Sequence, residues 1–371
     1  MKIAIDIQSA VTQKAGVGRY TRELIGNLAG MMAPDRLAPV YFDFKHEAEA
    51  IGIPGAETRA IRWIPGRVVQ LAWNTLLFPP YNWLAGRADL YHFPNFIIPP
   101  LGRGKAVVTI HDLAFMRYPQ FAETRNVHYL NRHIRRTAAR ADAIITVSHF
   151  SAREVCTYLN VPPERVFPIH HGIDPRFRRP EPQAMRATLA GIGLDRPYLL
   201  TVGTVEPRKN IPHLVRVFET LTDFDGDLVI AGGMGWKTQP ILDCIRQSPR
   251  AASIKCLGFT NDDTLPALYT GAEMFLLSSF YEGFGFPPVE AMACGTPVVS
   301  STGGSLQEVL GDAAVLLSHY DIDGWTEAIR RVRHDAEHRR DLIEKGYSKA
   351  ASYTWEKTAR RTLEVFRQVA S

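Results

Sequence analysis

The chain has 371 residues, 46% of them hydrophobic and 22% charged, a globular balance with room for two domains. Its formal net charge of +5 admits nucleic acid, an anionic membrane surface or phosphorylated small molecules as partners. The basic residues form no long run interleaved with aromatics and carry no nucleic-acid-binding motif, so no nucleic acid is expected.

The four cysteines (Cys156, Cys244, Cys256, Cys294) stand apart without a CxxC pair, as reduced thiols do. The opening MKIAIDI reads as a strand rather than a leader. No apolar run reaches membrane-spanning length, because Val68 to Leu84 is interrupted by Asn74, Pro79, Pro80 and Asn82. A cytoplasmic protein is expected.

Lys2 to Ile7 is the first buried strand. In AGVGRYTRELIGNLAG, Gly16 and Gly18 open a helix whose Tyr20, Leu24, Ile25 and Leu28 fall at apolar spacing. A glycine loop entering a helix offers free N–H groups to an anion, but the third glycine of a dinucleotide fingerprint is missing. Further strands read at Val40 to Phe44, Asp89 to Phe93 and Ala106 to Ile110. The last ends in His111-Asp112, at the strand edge where open α/β sheets bind ligands. A lone histidine is often structural; the position favours function and places His111 facing the same cleft as Gly16.

The densest basic cluster, Arg132 to Arg136, lies on a helical segment running to Arg140. It reads as a solvated helix face, or as a membrane-surface patch beside the aromatic stretch Trp73 to Trp83. A strand at Asp142 to Val147 precedes a helix with Ser148 or Ser151 as cap. Phe167 to His170 then leads into HHGIDPRFRRPEP, a polar, proline-rich linker.

The strand–helix alternation restarts at Tyr198 to Val202. GTVEPRKNIPHLVRVFETL is a loop entering an amphipathic helix, with Arg208 and Lys209 expected at the helix start as a diphosphate site. Strands follow at Leu228 to Ala231, Ile254 to Leu257 and Met274 to Leu277. The stretch FLLSSFYEGFGFPPVEAMACGTPVVSS, Phe275 to Ser301, then reads as strand, glycine loop, short helix and strand. Gly283 and Gly285 let a backbone approach a ligand closely. Glu282 hangs in the loop and Glu290 is expected in the first turn of the helix. Either acid alone reads equally well as a surface or helix-terminus carboxylate; held together they can accept hydrogen bonds from two sets of hydroxyls. TGGSLQEVLGDAAVLL supplies one more glycine-opened helix and a strand, Ala314 to Leu317, before the final helices.

The string from Glu282 to Glu290 resembles the E-x7-E motif of retaining GT-B glycosyltransferases (group 1, family 4), a family that includes bacterial mannosyltransferases of polysaccharide synthesis. E-P-R-K-N resembles that family's donor-phosphate motif and TIHDLAFMRYP its His-Asp segment. The Gly16–Gly18 loop is similar to a G-G-x-G-R loop, with Ala15 departing from the usual first glycine. The resemblance implies an α/β GT-B fold, two Rossmann-like domains facing across a cleft. Residues 1–172 would form the acceptor side, residues 173–355 the nucleotide-sugar domain, and a terminal helix, about 356–371, would cross back onto the first.

It also implies roles for the residues. His111, Arg208, Lys209 and Glu282 would be catalytic. Gly16, Gly18, Gly203, Gly258, Phe259, Gly283, Phe284, Gly285 and Glu290 would bind the donor, with Glu282 on the sugar, Glu290 on the ribose, and Gly258 and Phe259 by the base. The donor would be a nucleotide sugar, GDP-mannose before a UDP-hexose, and the acceptor a saccharide or a lipid-linked saccharide. Anomeric configuration would be retained, with no cofactor and no metal, the cations standing in for one. Peripheral contact with an anionic membrane fits the basic helix.

The D-x-D pairs Asp223/Asp225 and Asp225/Asp227 sit in a turn before a strand and away from the expected cleft. Three other readings are a nicotinamide-dependent oxidoreductase, disfavoured by the missing third glycine, a non-catalytic sugar-nucleotide binder, and a nucleotide-sugar epimerase on a similar fold.

Overall fold

A computed structural model of the protein describes residues 1–13, 16–47 and 52–371, without the side chains of Arg125 and Asn126. Ala15, where the glycine loop departs from the family pattern, lies outside the described residues. The chain divides into two compact units: residues 1–113, 128–172 and 354–371, and residues 114–127 and 173–353.

The first unit is built on a parallel sheet of β1 (Lys2–Asp6), β2 (Arg36–Phe42), β3 (Arg59–Ile61), β4 (Leu90–Phe93), β5 (Lys105–Ile110), β6 (Ala143–Thr146) and β7 (Val166–Pro168). The order is β3-β2-β1-β4-β5-β6-β7, so the winding reverses between β1 and β4, where Ile3 faces Leu90. Ile3, Ile5, Val107, Val108 and Ile110 are fully buried. Such continuous apolar runs belong to strands covered on both faces. The three-residue β3 escapes sequence reading because Arg59-Ala60-Ile61 has too little pattern to see; it exists by pairing with Val40–Phe42.

Helix Val17–Ala29 buries Tyr20, Leu24, Ile25 and Leu28. The C-terminal helix Trp355–Ala370 packs against it within the same unit. Gly172 makes that return possible, because a Cβ there would lie 2.1 Å from the Trp355 nitrogen. Helix His149–Leu159 is capped by Ser148, whose hydroxyl accepts from the Ser151 N–H.

The second unit holds β8 (Tyr198–Val202), β9 (Asp227–Ala231), β10 (Ile254–Gly258), β11 (Met274–Leu277), β12 (Val298–Ser301) and β13 (Val315–Leu317). Their order is β10-β9-β8-β11-β12-β13, again all parallel. The reversal falls between β8 and β11. The core joins Leu199, Leu214, Phe218, Leu228, Leu276 and Trp325.

Residues 114–127, inside the 1–172 span read from sequence, pack on this second unit. Trp236 Nε1 donates to the Phe121 carbonyl at 2.5 Å and Lys237 Nζ to the Gln120 carbonyl at 2.7 Å, while Phe121 stacks on Phe280 at 4.7 Å. No chain break marks that exchange, so local pattern cannot reveal it. No helix among the described residues is long and apolar enough to cross a membrane.

Candidate functional site

In a doubly wound sheet the chains leaving two strands part company where the order reverses, and the crevice left at their carboxyl ends is a ligand site. In the second unit those strands are β8 and β11, and Arg208, Lys209 and Glu282 meet there. Arg208 Nη1 lies 2.9 Å from Glu282 Oε2, and Lys209 Nζ lies 2.7 Å from Glu282 Oε1. Arg208 is held from behind by Glu206, Nη2 to Oε1 2.6 Å, and Nη1 also donates to the Tyr281 carbonyl at 2.7 Å. Ser279 donates to Glu282 Oε1 at 2.5 Å.

Burial alone would push the Glu282 carboxyl up. The charges of Arg208 and Lys209, with hydrogen bonds from Lys209 and Ser279, outweigh that and lower it to about 2. Glu282 is therefore an ionised, buried carboxylate shared by two cations, a pairing that the sequence reading did not foresee. The sequence hides this because Arg208 and Glu282 are 74 residues apart and meet only when β8 and β11 pair.

Two local expectations need correction. Arg208 and Lys209 do not start the long helix. They sit in a separate 3-10 turn, Pro207–Lys209, and the helix begins at Ile211 after Asn210 adopts a left-handed conformation, φ 51°. Their backbone carbonyls are tied to the segment that leaves β11: Phe280 N–H donates to the Arg208 carbonyl at 2.9 Å and Ser278 Oγ to the Lys209 carbonyl at 3.0 Å. Glu290, in turn, is not in the first helical turn. Gly285, φ 91°, starts the helix at Phe286, which leaves Glu290 in the second turn, buried, with Tyr269 Oη donating to it at 2.8 Å.

The glycines act by leaving space. A Cβ on Gly203 would come 3.1 Å from Lys209 Cε, so the bare backbone makes room for that lysine. Gly304, unmarked by the sequence reading, runs beside Glu282 in a parallel bridge, and a Cβ there would lie 2.3 Å from the Glu282 carbonyl. Ser305 N–H donates to the same carbonyl at 2.9 Å. TGGS is thus the floor of the Glu282 loop rather than only a helix opening. The adjacent glycines were the available signal, together with Glu206 inside E-P-R-K-N.

Gly283 stays in the loop beside Glu282, but the Phe284 ring is spent on packing against Phe286 and Tyr353, 5.5 and 5.3 Å between centroids. Gly258 ends β10, at the far edge of the sheet, and Phe259 follows it, 60% exposed; the structure does not bring them to the Glu282 cluster. Asp223, Asp225 and Asp227 are paired with cations: Asp223 with Arg330 and Arg333, Asp225 with Arg196, and Asp227 with Arg196 and Lys255.

His111, Gly16 and Gly18 belong to the first unit. Gly16, φ 57°, caps helix Val17–Ala29, and a Cβ on Gly18 would collide with the Gln13 carbonyl at 2.0 Å. His111 is nearly buried, its Nε2 2.8 Å from the Pro94 carbonyl and its ring edge-on to Tyr20 at 4.9 Å. Burial lowers its basicity, against opposing pulls from the Pro94 carbonyl and Asp112, so it is neutral near pH 7.

A cavity of about 820 Å³ opens at this unit's own reversal, lined by Asp6 at the end of β1, by Gln8 and Ser9 beyond it, and by Pro94, Asn95 and Phe96 after β4. Burial pushes the Asp6 carboxyl up to about 6, against a hydrogen bond from the Gln8 N–H. A carboxyl poised near neutrality in a cavity marks a functional candidate. Sequence reading passed over Asp6 as the end of a strand.

Residues 190–349 match the family model described as "Glycosyl transferases group 1", and residues 15–177 match "Glycosyltransferase Family 4". The chain is 30% identical over 389 aligned positions to the O-antigen chain mannosyltransferase B of Escherichia coli, covering 99% of this chain and 100% of that protein. It is 29% identical to the serotype-specific mannosyltransferase WbdA of the same organism, over 71% of this chain but only 33% of that longer protein. Among solved structures, the sucrose-phosphate synthase of Thermosynechococcus elongatus superposes with a TM-score of 0.80 at 20% identity, over 100% of this chain and 99% of that one. WaaG, a glycosyltransferase of lipopolysaccharide biosynthesis, does so at 0.73 and 16%, over 98% and 99%. The fold is GT-B.

Proposed function

Because the chain belongs to the group 1, family 4 glycosyltransferases, we propose that it moves a mannosyl unit from GDP-mannose, with retention of configuration, to a saccharide or lipid-linked saccharide acceptor. The protein is a glycosyltransferase of polysaccharide synthesis; the donor, the stereochemistry and the acceptor are our reading. It is carried by one observation, the convergence of Arg208 and Lys209 on the buried carboxylate of Glu282 where β8 and β11 part.

In the reaction the bond from the sugar C1 to the diphosphate oxygen breaks, and a bond from C1 to an acceptor hydroxyl oxygen forms. The hydroxyl proton goes to the leaving diphosphate. Arg208 and Lys209 stabilise the negative charge that develops on that group, the kind of preorganised electrostatics that lowers such barriers most. These two cations let the step run without a metal or cofactor. Glu282 and His111 orient the sugar. Glu290, with Tyr269 behind it, takes the ribose hydroxyls. The backbones of Gly203, Gly283, Phe284 and Gly285 approach the diphosphate and sugar, Gly258 and Phe259 flank the base, and Gly16 and Gly18 offer N–H groups from the first unit. Asp6 in the first unit's cavity accepts a hydrogen bond from the acceptor. The enzyme works in the cytoplasm, with peripheral contact to an anionic membrane.

A thermal-shift series with GDP, UDP and their sugars tests the donor. GDP and GDP-mannose should raise the melting temperature and UDP should not, since a ligand at 100 times its Kd adds roughly 2.7 kcal/mol. Stabilisation by UDP alone would replace the donor. Mass spectrometry of the products formed from GDP-mannose then separates an enzyme, which releases GDP, from a mere binder.

A further inference from the structure

Glu282 is held by two separate sets of contacts. Its backbone is tied to the TGGS segment: the Glu282 N–H donates to the Gly303 carbonyl at 3.3 Å, and the Ser305 hydroxyl donates to the Glu282 carbonyl at 3.1 Å. Among the described residues three side chains reach its carboxylate: Lys209 and Ser279 at Oε1, and Arg208 at Oε2. Two of them are cations and one is neutral.

That difference matters when a donor arrives. In the proposed reaction the diphosphate draws on Arg208 and Lys209, and each charge-assisted bond it takes weakens one made by Glu282. Arg208 can turn without coming loose, since Glu206 stays on its other nitrogen, Nη2 to Oε1 2.6 Å. Among the described residues only Ser279 serves Glu282 in that way. A buried carboxylate stripped of its donors is costly, and a neutral hydroxyl offers a diphosphate far less to compete for than a cation does.

Ser279 is itself fixed. It is fully buried, two residues past the end of β11, and its carbonyl accepts from the hydroxyl of Ser301, the last residue of β12, at 2.5 Å. A Cβ on Gly303 would come 2.4 Å from that same carbonyl. The hydroxyl that reaches Glu282 is thus carried by the framework where two neighbouring strands end, the kind of support that a reacting group needs to stay aligned.

We propose that Ser279 is a positioning residue for the transfer: it keeps Oε1 of Glu282 in place while Arg208 and Lys209 pass to the diphosphate, so that Oε2, released by Arg208, accepts from a sugar hydroxyl. This rests on the roles given to Arg208, Lys209 and Glu282 in the proposed function.

The test follows GDP release from GDP-mannose in water by wild type and Ser279→Ala, beside calorimetry with GDP and melting temperatures. Ser279→Ala should bind GDP within about threefold of wild type, with KM for GDP-mannose changed as little, while kcat falls about tenfold or more, as loss of a hydrogen bond to a charged group does. Ser279→Cys fills similar space with a poor donor and should fall with it. In a Glu282→Ala background, removing Ser279 should cost no more than about threefold further, because nothing is left for it to hold.

A cysteine variant that turns over like wild type overturns the proposal, and so does an alanine variant that loses GDP affinity and keeps kcat. Losses that multiply in the double variant show that Ser279 acts apart from Glu282, and overturn it too. If Ser279→Ala melts below the assay temperature, the cysteine variant carries the comparison. The series is run with UDP-glucose if that is the nucleotide sugar the wild type hydrolyses. Such a switch replaces the proposed donor and leaves the coupling of Ser279 to Glu282 to stand or fall by itself; hydrolysis of neither overturns both.

Discussion

Arg208 and Glu282, 74 residues apart in the chain, are joined at 2.9 Å between Nη1 and Oε2, and the same guanidinium nitrogen reaches the Tyr281 carbonyl. The cation assigned to the leaving diphosphate is thus already neutralised in the free protein by the carboxylate assigned to the sugar. A diphosphate entering this site must share Arg208 and Lys209 with Glu282.

That sharing sets the expected behaviour of Glu282→Gln. With the carboxylate gone, GDP should bind more tightly, by about tenfold, or ~1.4 kcal/mol. Transfer should still fall by orders of magnitude, because a contact realised chiefly in the transition state lowers kcat. Calorimetry with GDP and a product assay read both effects. Weaker GDP binding in Glu282→Gln would mean that Glu282 supports the diphosphate site instead of competing for it.

Arg208→Ala removes the partner of two buried acids at once, Glu206 and Glu282. Breaking a buried pair from one side costs roughly 3–5 kcal/mol, so its melting temperature should drop. Its GDP affinity should also weaken by roughly 1.5–3 kcal/mol. Lys209→Ala should weaken GDP similarly with a smaller loss of stability, since among the described residues Lys209 pairs with Glu282 only. Guanosine affinity should be unchanged in both, which a parallel titration checks.

Glu290 is buried and receives the Tyr269 hydroxyl. If it holds the ribose, Glu290→Gln should weaken GDP and GDP-mannose by the same factor, raising KM with little change in kcat. A variant that loses kcat while keeping GDP affinity would move Glu290 from the ribose to the reacting sugar.

Asp6 gives a pH signature. Burial pushes its folded carboxyl up to about 6, above the ordinary carboxylate range, so the carboxylate forms as pH rises through about 6. The value of kcat/KM for the acceptor should climb over that window and the climb should vanish in Asp6→Asn. Stability has the opposite sign. A group whose pKa is raised on folding favours the folded state at low pH, and that contribution is lost as pH rises through 6. Asp6→Asn should therefore be more stable than wild type at pH 7, by up to ~3 kcal/mol. Chemical denaturation at pH 4 and pH 7 measures the difference; a less stable Asp6→Asn at pH 7 would show the carboxylate to be structural.

Acid should loosen the first unit by a separate route. His92 is fully buried and its basicity is lowered to about 3, and His171 is lowered as well, both chiefly by burial. The unfolded chain binds protons at these sites below about 6.5, so stability should fall from there as pH drops, for His92 down to about pH 3 with a slope of up to ~1.4 kcal/mol per pH unit, and His171 adds a loss of the same sign. Glu282, held at about 2, adds its own loss only below the ordinary glutamate range. Urea unfolding midpoints across this range, compared with His92→Asn, check the assignment.

Much of this molecule is legible from the chain alone, because parallel strands buried on both faces must be written as short apolar runs. Lys2 to Ile7, Tyr198 to Val202 and Met274 to Leu277 announce themselves that way, and the glycines and prolines that interrupt them mark the loops that carry chemistry. Sequence could nominate Arg208, Lys209 and Glu282 for the same reason, since each stands in a loop that follows a strand, and Glu290 because it lies on the short helix that the glycine loop enters.

Only the tertiary structure decided who partners whom. Strand order is not written in any local window, and it is the β8–β11 reversal that sets Arg208 and Lys209 on Glu282 and the β1–β4 reversal that turns Asp6 into the wall of a cavity. Burial is likewise a property of the whole: the same carboxylate chemistry gives about 2 at Glu282, between two cations, and about 6 at Asp6, where desolvation dominates. The residues are set by sequence, but their charge states come from distances that exist only once the sheets have formed.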